Sequence, residues 1–147
     1  MADPKSPEDI LGIEYDWVAS DGEGYVGFFS TAGGGYAPSE FLRDTDSHDR
    51  AIEAIGALKA RTSVAFLRAP AKGDLATWTR MAERGLFAFD ADVFGGPYKL
   101  VAAPAIPVQI HELPASAVQV ARSLRFLHLS FRSARELAME AFTNPKG

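Results

Sequence analysis

Apolar and polar residues alternate near the start of the chain in the way that a β-strand requires. Over residues 14–20 the large rings of Tyr15 and Trp17 fall on one side of the predicted strand. Residues 21–24 combine two glycines with two acids, which favours a turn, and residues 25–30 are again mostly apolar. The pattern therefore predicts a β-hairpin, and we expect the rest of the fold to be organised around it.

Apolar residues spaced three and four apart, together with capping residues, predict helices along the rest of the chain. The predicted helices cover residues 6–12, 39–43, 49–60, 74–84, 114–124 and 133–141, with Asp46 or Ser47 capping the third and Asp74 the fourth. Further strands are predicted at 86–90, 98–102, 108–112 and 125–131, while 63–67 fits a short strand or a buried loop and 69–73 a connector.

These elements favour an α+β fold, a mostly antiparallel sheet with an N-terminal β-hairpin and helices packed on one face. In that arrangement Trp17 is buried beneath the helix at 49–60 or the helix at 74–84. The length of 147 residues fits a single domain over 1–147, and loose ends are expected at 1–5 and 143–147.

The residue types that the chain lacks narrow its chemistry and its location. There is no cysteine, which excludes disulfides, thiolate metal sites and a cysteine nucleophile. The first ten residues lack the basic and then apolar pattern of a signal peptide, and no apolar run is long enough to span a bilayer. We therefore expect a soluble cytoplasmic protein that has no membrane partner.

Charge is distributed unevenly along the chain. Residues 1–53 hold 12 acidic and three basic residues, a net charge of −9, whereas residues 54–147 carry +5. An acidic surface of this kind steers a basic partner towards it and repels a nucleic-acid backbone. The alternative is a solvated surface that keeps the protein soluble, and the sequence leaves both open.

One acidic stretch has the opening spacing of a calcium loop, with Asp44, Asp46 and His48 at alternate positions. The pattern fails further on, because Asp49 stands where the loop needs glycine and Ile55 where it needs glutamate. Acids at the start of a helix are stabilised by its dipole, so capping explains the stretch better than a metal does. Neither a metal nor a cofactor is predicted.

Three glycines at 33–35 follow a predicted strand but lack the spacing and the lysine of a phosphate-binding loop. They predict a flexible loop, with Tyr36 as an aromatic contact at its rim. No catalytic residue is assigned. The three histidines lack metal-ligand spacing, and Asp90 and Asp92 favour turn formation over acid–base work.

Six stretches carry a resemblance to known proteins: 15–24, 29–33, 78–90, 96–102, 107–108 and 112–114. In these the chain resembles small uncharacterised bacterial proteins, some of which look like immunity proteins encoded beside secreted toxins. The resemblance spans residues 13–137 and rests on packing and turn residues. It implies a non-catalytic inhibitor and brings no catalytic residue set with it.

The leading hypothesis is a non-catalytic binding protein, an immunity-type inhibitor that docks its acidic N-terminal third on a basic, toxin-like protein partner. The predicted binding residues, which we expect on one side of the fold, are Asp16, Asp21, Glu23, Tyr36, Asp44 and Asp46. The alternative is a small-ligand-binding domain or an unrecognised hydrolase with a pocket near residues 33–36. The sequence does not determine the oligomeric state.

Overall fold

The computed structural model describes residues 4–68 and 75–143, which contain six α-helices and seven strands. The helices are α1 (Pro7–Ile10), α2 (Ser39–Arg43), α3 (Thr45–Gly56), α4 (Ala76–Glu83), α5 (Ala115–Ser123) and α6 (Met139–Thr143). The strands are β1 (Asp16–Asp21), β2 (Val26–Ser30), β3 (Val64–Phe66), β4 (Phe87–Asp90), β5 (Tyr98–Pro104), β6 (Arg125–Phe126) and β7 (Glu136–Leu137). The predicted connector at 69–73 and the predicted cap Asp74 lie outside the described residues, as do 1–3 and 144–147.

The described strands form one sheet in the order β3-β5-β4-β2-β1-β6, and β7 pairs with β5. The α+β class is confirmed, but the prediction of a mostly antiparallel sheet is wrong because the sheet is mixed. Strand β2 runs parallel to β4, and β1 runs parallel to β6. A parallel neighbour requires a crossover connection, which α2, α3 and α4 supply between β2 and β4.

Strands β1 and β2 pair antiparallel, with Trp17 opposite Phe29 and Val18 opposite Phe28. The turn between them is closed by the Asp21 carboxylate, whose Oδ1 accepts the N–H groups of Glu23 and Tyr25, both at 2.9 Å. An aspartate that bonds to the backbone two residues ahead is a frequent turn former, so the local sequence determines this turn.

Both faces of the sheet are buried, in contrast to the predicted single helix-covered face. On the first face Val18 and Phe28 pack against α3, α4 and α5, through residues such as Ile55, Met81 and Val120. On the second face Trp17 and Phe29 pack among further aromatic rings from outside the sheet: Phe41, Phe131 and Phe142. Strand β2 is buried along its whole length, as expected for a central strand covered on both sides.

Trp17 is fully buried, but it does not lie beneath the helices that the sequence suggested. Its ring stacks on Phe29 with centroids 4.2 Å apart and meets Phe142 of α6 edge-on at 5.6 Å. Phe41 of α2 lies 6.4 Å away, so α2 and α6 cover this tryptophan while α3 and α4 lie on the opposite face. The alternation in β1 was read correctly, and the choice of covering helix was wrong.

Helix α3 begins four residues earlier than predicted. The Asp44 side chain accepts the Ser47 N–H at 3.1 Å and is the N-cap, so Asp46 lies in the first turn and does not cap. The helix ends at Gly56, short of the predicted residue 60. Capping by an acid of this stretch is thus confirmed, with Asp44 as the residue that does it.

The C-terminal third departs most from the predicted elements. Residues 110–112 form a 3₁₀ turn in place of a strand, strand β6 stops at Phe126, and the predicted helix at 133–141 is replaced by β7 and α6. The alternation over 125–131 is misleading because Phe126 and Phe131, on opposite sides of such a strand, both bury against the second face. A turn in which Leu129 N–H bonds to the Phe126 carbonyl at 3.0 Å makes this possible.

Candidate functional site

A row of polar side chains crosses the sheet where β1 begins and where β2 and β4 end. Asp16 pairs with Ser30 across β1 and β2, and Ser30 pairs with Asp90 across β2 and β4. Residues directly opposite each other in a sheet project from the same face, so these three side chains are neighbours. The Ser30 hydroxyl donates to Glu14 Oε2 at 2.7 Å, which brings a third carboxylate to the row.

Further acidic residues near this row lie on the first turns of α3. Burial raises the pKa of Asp16 to about 6. The nearby Ser30 hydroxyl opposes the shift, and the charges of Glu14, Asp49 and Asp90 add to it. Burial and the neighbouring Asp46 raise the pKa of Asp49 in turn. We call Glu14, Asp16, Asp46 and Asp49 the acidic cluster.

The acidic cluster lacks compensating ion pairs in the described parts of the chain. The ion pairs found there join Arg61 to Glu112 and Arg84 to Glu83, and neither includes a member of the cluster. Lys5 is close enough to Asp49 to oppose the rise in its pKa, but the two do not form an ion pair. Mutual repulsion in a partly desolvated setting therefore makes the ionised cluster a source of negative potential.

Asp21 does not belong to a docking surface, contrary to the prediction. Its carboxylate is fully buried and accepts three backbone N–H groups, two in its own turn and one from Phe131 at 2.8 Å. The turn is covered by the segment after β6, since Gly22 N–H bonds to the Leu129 carbonyl and Arg125 Nε to the Asp21 carbonyl. This carboxylate joins the hairpin to the C-terminal segment.

The other predicted acids do not share one side of the fold. Glu23 is exposed and accepts the Ser130 hydroxyl at 2.9 Å. It follows the end of β1, and Asp16 begins that strand, so the two are roughly 17 Å apart at about 3.3 Å per residue. Asp46 is exposed and joins the acidic cluster, whereas Asp44 is half-buried as the α3 cap. The expected single surface is therefore corrected to one that keeps Asp16 and Asp46.

A cleft lies beside the Gly33–Tyr36 loop, where the alternative hypothesis placed a pocket. It has a volume of about 350 Å³. One wall is α1 with Leu11, the other is the loop itself, and Met139 of α6 lies at its end. Tyr36 forms part of the wall: its ring stacks on Phe142 at 5.6 Å and its carbonyl accepts the Tyr98 hydroxyl at 2.6 Å.

The glycines of this loop are tightly packed, in contrast to the flexible loop that was expected. Gly33 has a φ of +93° and accepts the Gly12 N–H at 2.7 Å. A Cβ atom at Gly34 would collide with the carbonyl group of Val93. Glycine is needed here for positive φ and for close approach of two backbones, so the loop is a fixed wall of the cleft.

His48 has a role that the sequence did not suggest. It is buried, and its Nδ1 accepts the N–H of Val18 at 3.0 Å. Strand β6 pairs only with Ser20 and Asp21, so Val18 lies at a point along β1 that β6 does not reach. Burial lowers its pKa to about 4, so the ring is neutral and its proton sits on Nε2. Helical periodicity alone does not identify a histidine whose ring accepts an N–H group from the edge of a strand.

Three members of the site were not predicted as binding residues: Glu14, Asp49 and Asp90. The sequence predicted the same turn-forming role for Asp90 and Asp92, but the two residues differ. Asp90 joins the polar row, whereas Asp92 forms a turn in which its Oδ1 accepts the Phe94 and Gly96 N–H groups. Parallel pairing of β2 with β4 brings Asp90 to Ser30, and no local pattern in the sequence signals that pairing.

Comparison with protein-family models, with curated proteins and with solved structures found no match to this chain. The resemblance to immunity proteins therefore stays a prediction. Among the described residues no helix is long and apolar enough to cross a membrane. Nor do three or more histidines and acids in those residues come together in a way that could hold a metal ion.

Proposed function

We propose that this chain is a non-catalytic binding protein whose acidic cluster docks a basic protein partner, as an immunity-type inhibitor docks on a toxin. The observation that carries the proposal is the placement of Glu14, Asp16 and Asp49 around one strand end without an ion pair among the described residues. Like charges held together reduce stability, and such arrangements occur where function requires them.

The cluster supports docking by charge more directly than the residues that the sequence nominated. Asp21 is buried and its carboxylate accepts backbone N–H groups, whereas Asp46 and Asp49 are exposed on α3. A cationic side chain that approached Asp16 would relieve the repulsion there and remove the cost of ionising that carboxylate. Association with such a partner is accelerated by the negative field and weakened by salt.

The experiment tests the protein encoded beside this gene, purified and mixed with the full chain, by stopped-flow association over a range of salt concentrations. The variant Asp16→Asn/Asp49→Asn should lower the association rate constant about tenfold at low salt, and high salt should remove that difference. Glu23→Gln is the matched control, since it removes an exposed acid at the far end of β1.

Two results would contradict the proposal. In the first, the cluster variant associates as fast as the wild-type chain at every salt concentration. In the second, Glu23→Gln slows association by half as much on a logarithmic scale as the cluster variant, which removes twice the charge; an equal effect per charge would indicate a general field and no docking surface.

A further inference from the structure

Five exposed apolar residues surround the Gly33–Gly35 loop, and we call them the apolar rim. They are Leu11, Ile13, Val93, Phe94 and Met139, with Leu11 70% and Phe94 93% exposed. Three contacts place them together. Gly12, between Leu11 and Ile13, bonds to Gly33; the Val93 backbone lies against Gly34; and Leu11 and Met139 both line the cleft. An exposed apolar patch of this kind marks an interaction site more often than a scattered surface residue does.

The rim is held in a fixed conformation. The turn that presents Phe94 is closed by Asp92, whose Oδ1 accepts the N–H groups of Phe94 at 2.8 Å and Gly96 at 3.0 Å. An aromatic side chain on a rigid turn loses little backbone freedom on binding, which is the property of an anchor residue. The neighbouring cleft of about 350 Å³ offers room for apolar side chains of a partner.

The rim adjoins the acidic cluster at the same end of the sheet. Ile13 is bonded directly to Glu14, and Val93 lies three residues beyond Asp90. Other exposed acids flank the rim, namely Glu8 and Asp9 of α1 and Glu140 beside Met139. Hydrogen bonds from Ser6 lower the pKa of Asp9, and the nearby Lys5 adds to that effect. Lys99 lies near Asp92 in the same way, so two cations lie close to the rim. The surface is therefore apolar at its centre and predominantly acidic around it.

We infer that the docking element of the partner is a basic amphipathic helix. Its apolar side chains enter the cleft and cover Leu11 and Phe94, and its lysines and arginines meet the acidic cluster. A helix presents an apolar stripe with charged positions beside it, which matches an apolar surface bordered by acids. A strand would place the two kinds of side chain on opposite faces. This inference rests on the proposed function and adds the form of the partner to it.

The test uses two synthetic peptides of about 18 residues built from leucine, alanine and lysine. In one the leucines recur at helical spacing on a single side, and in the other the same residues are scrambled so that no apolar face forms. Affinity for the full-length chain is measured by fluorescence anisotropy. The amphipathic peptide should bind about tenfold more tightly than the scrambled one, because only it can cover the rim while it meets the acids.

Variants of the chain assign that difference to the surface. Leu11→Ser and Phe94→Ser should each weaken the amphipathic peptide by roughly fivefold to tenfold and leave the scrambled peptide unchanged. Leu127→Ser is the matched control, since Leu127 is 73% exposed but lies against the hairpin turn at the other end of β1, and it should have no effect. Asp16→Asn/Asp49→Asn should weaken both peptides, most strongly at low salt.

The outcomes separate this inference from the proposed function. Equal binding of the two peptides, still dependent on Asp16 and Asp49, overturns the helix and leaves charge-guided docking in place. If the amphipathic peptide binds tightly and its affinity is unchanged by Asp16→Asn/Asp49→Asn and by salt, the role of the cluster is overturned. Failure of both peptides to bind overturns both. Binding of a small apolar dye in the cleft that the amphipathic peptide cannot displace assigns the cleft to a small ligand and overturns the inference.

Discussion

Replacing Asp16 with asparagine should stabilise the protein at neutral pH. Burial and three neighbouring acids raise the pKa of Asp16 from 3.8 to about 6. The folded state therefore holds this proton at pH values where the unfolded chain has already released it. The stability that the protonated form contributes is fully present below pH 3.8 and is lost as the pH rises through about 6. Asparagine has nearly the same shape and carries no charge at any pH.

The size of the gain follows from the shift. A difference of about two pKa units at 1.36 kcal/mol each corresponds to roughly 3 kcal/mol above pH 6. Asp16 is half-buried, and its acidic neighbours also relax when it is neutralised, so about 1–3 kcal/mol is the expected gain at pH 7. For a chain of this length that corresponds to a rise in Tm of roughly 3–10 °C.

Urea unfolding followed by tryptophan fluorescence measures the effect, because Trp17 and Trp78 are both buried. The free energy of unfolding should be equal for Asp16→Asn and the wild-type chain near pH 4, and the two should diverge as the pH approaches 7. Glu23→Gln removes an exposed acid and should change stability by less than about 0.5 kcal/mol. Equal stability at pH 7, or a difference that does not change between pH 4 and 7, would refute the reasoning.

Three further substitutions test the fold around this site. His48 has its pKa lowered from 6.5 to about 4, so the stability that its neutral ring contributes is present above pH 6.5 and is lost as the pH falls towards 4. His48→Ala should lower the free energy of unfolding by about 1–3 kcal/mol at pH 7, because the Val18 N–H loses its acceptor. It should also remove the part of the stability loss at low pH that comes from protonation of His48, and urea unfolding at several pH values measures the two effects. Trp17→Ala should lower the free energy of unfolding by about 3–5 kcal/mol, as followed by Trp78 fluorescence, and a loss below 1 kcal/mol would contradict the packing described. Asp21→Asn should cost about 1–3 kcal/mol in the same assay, because its amide group would set a donor against an N–H that the carboxylate now accepts.

Local patterns were sufficient for much of the fold. Alternation in β1 correctly separated Trp17 from Val18, which lie on opposite faces of the sheet, and the cap and glycine signals placed α1 within two residues. These features depend on interactions among residues close in sequence, such as the Ser6 N–H to Asp9 bond at 2.8 Å. Short-range hydrogen bonds and periodic burial leave their trace in the sequence itself.

The acidic cluster depends on contacts that no local pattern records. Asp49 comes near Asp16 only because α3 packs over β1, and Asp90 reaches Ser30 only because β2 pairs with β4. The strand predicted at 125–131 failed for the same reason: a buried aspartate 110 positions away accepts the Phe131 N–H and turns the chain. The charges along the sequence identify an acidic N-terminal third, but they do not show that Asp21 is buried or that Glu23 lies at the other end of β1 from Asp16.

The two aspartates at the ends of β1, Asp16 and Asp21, show why residue type alone does not determine the role of a residue. Burial raises the pKa of both Asp16 and Asp21. At Asp21 three N–H donors oppose that rise and need the carboxylate oxygens as acceptors, so the fold depends on this side chain. Asp16 has one serine and three acids around it, so the fold is opposed to its charge. The same change to asparagine should therefore destabilise the protein at one end of the strand and stabilise it at the other. A carboxylate that the folded chain would be more stable without is better explained by what it binds than by what it supports.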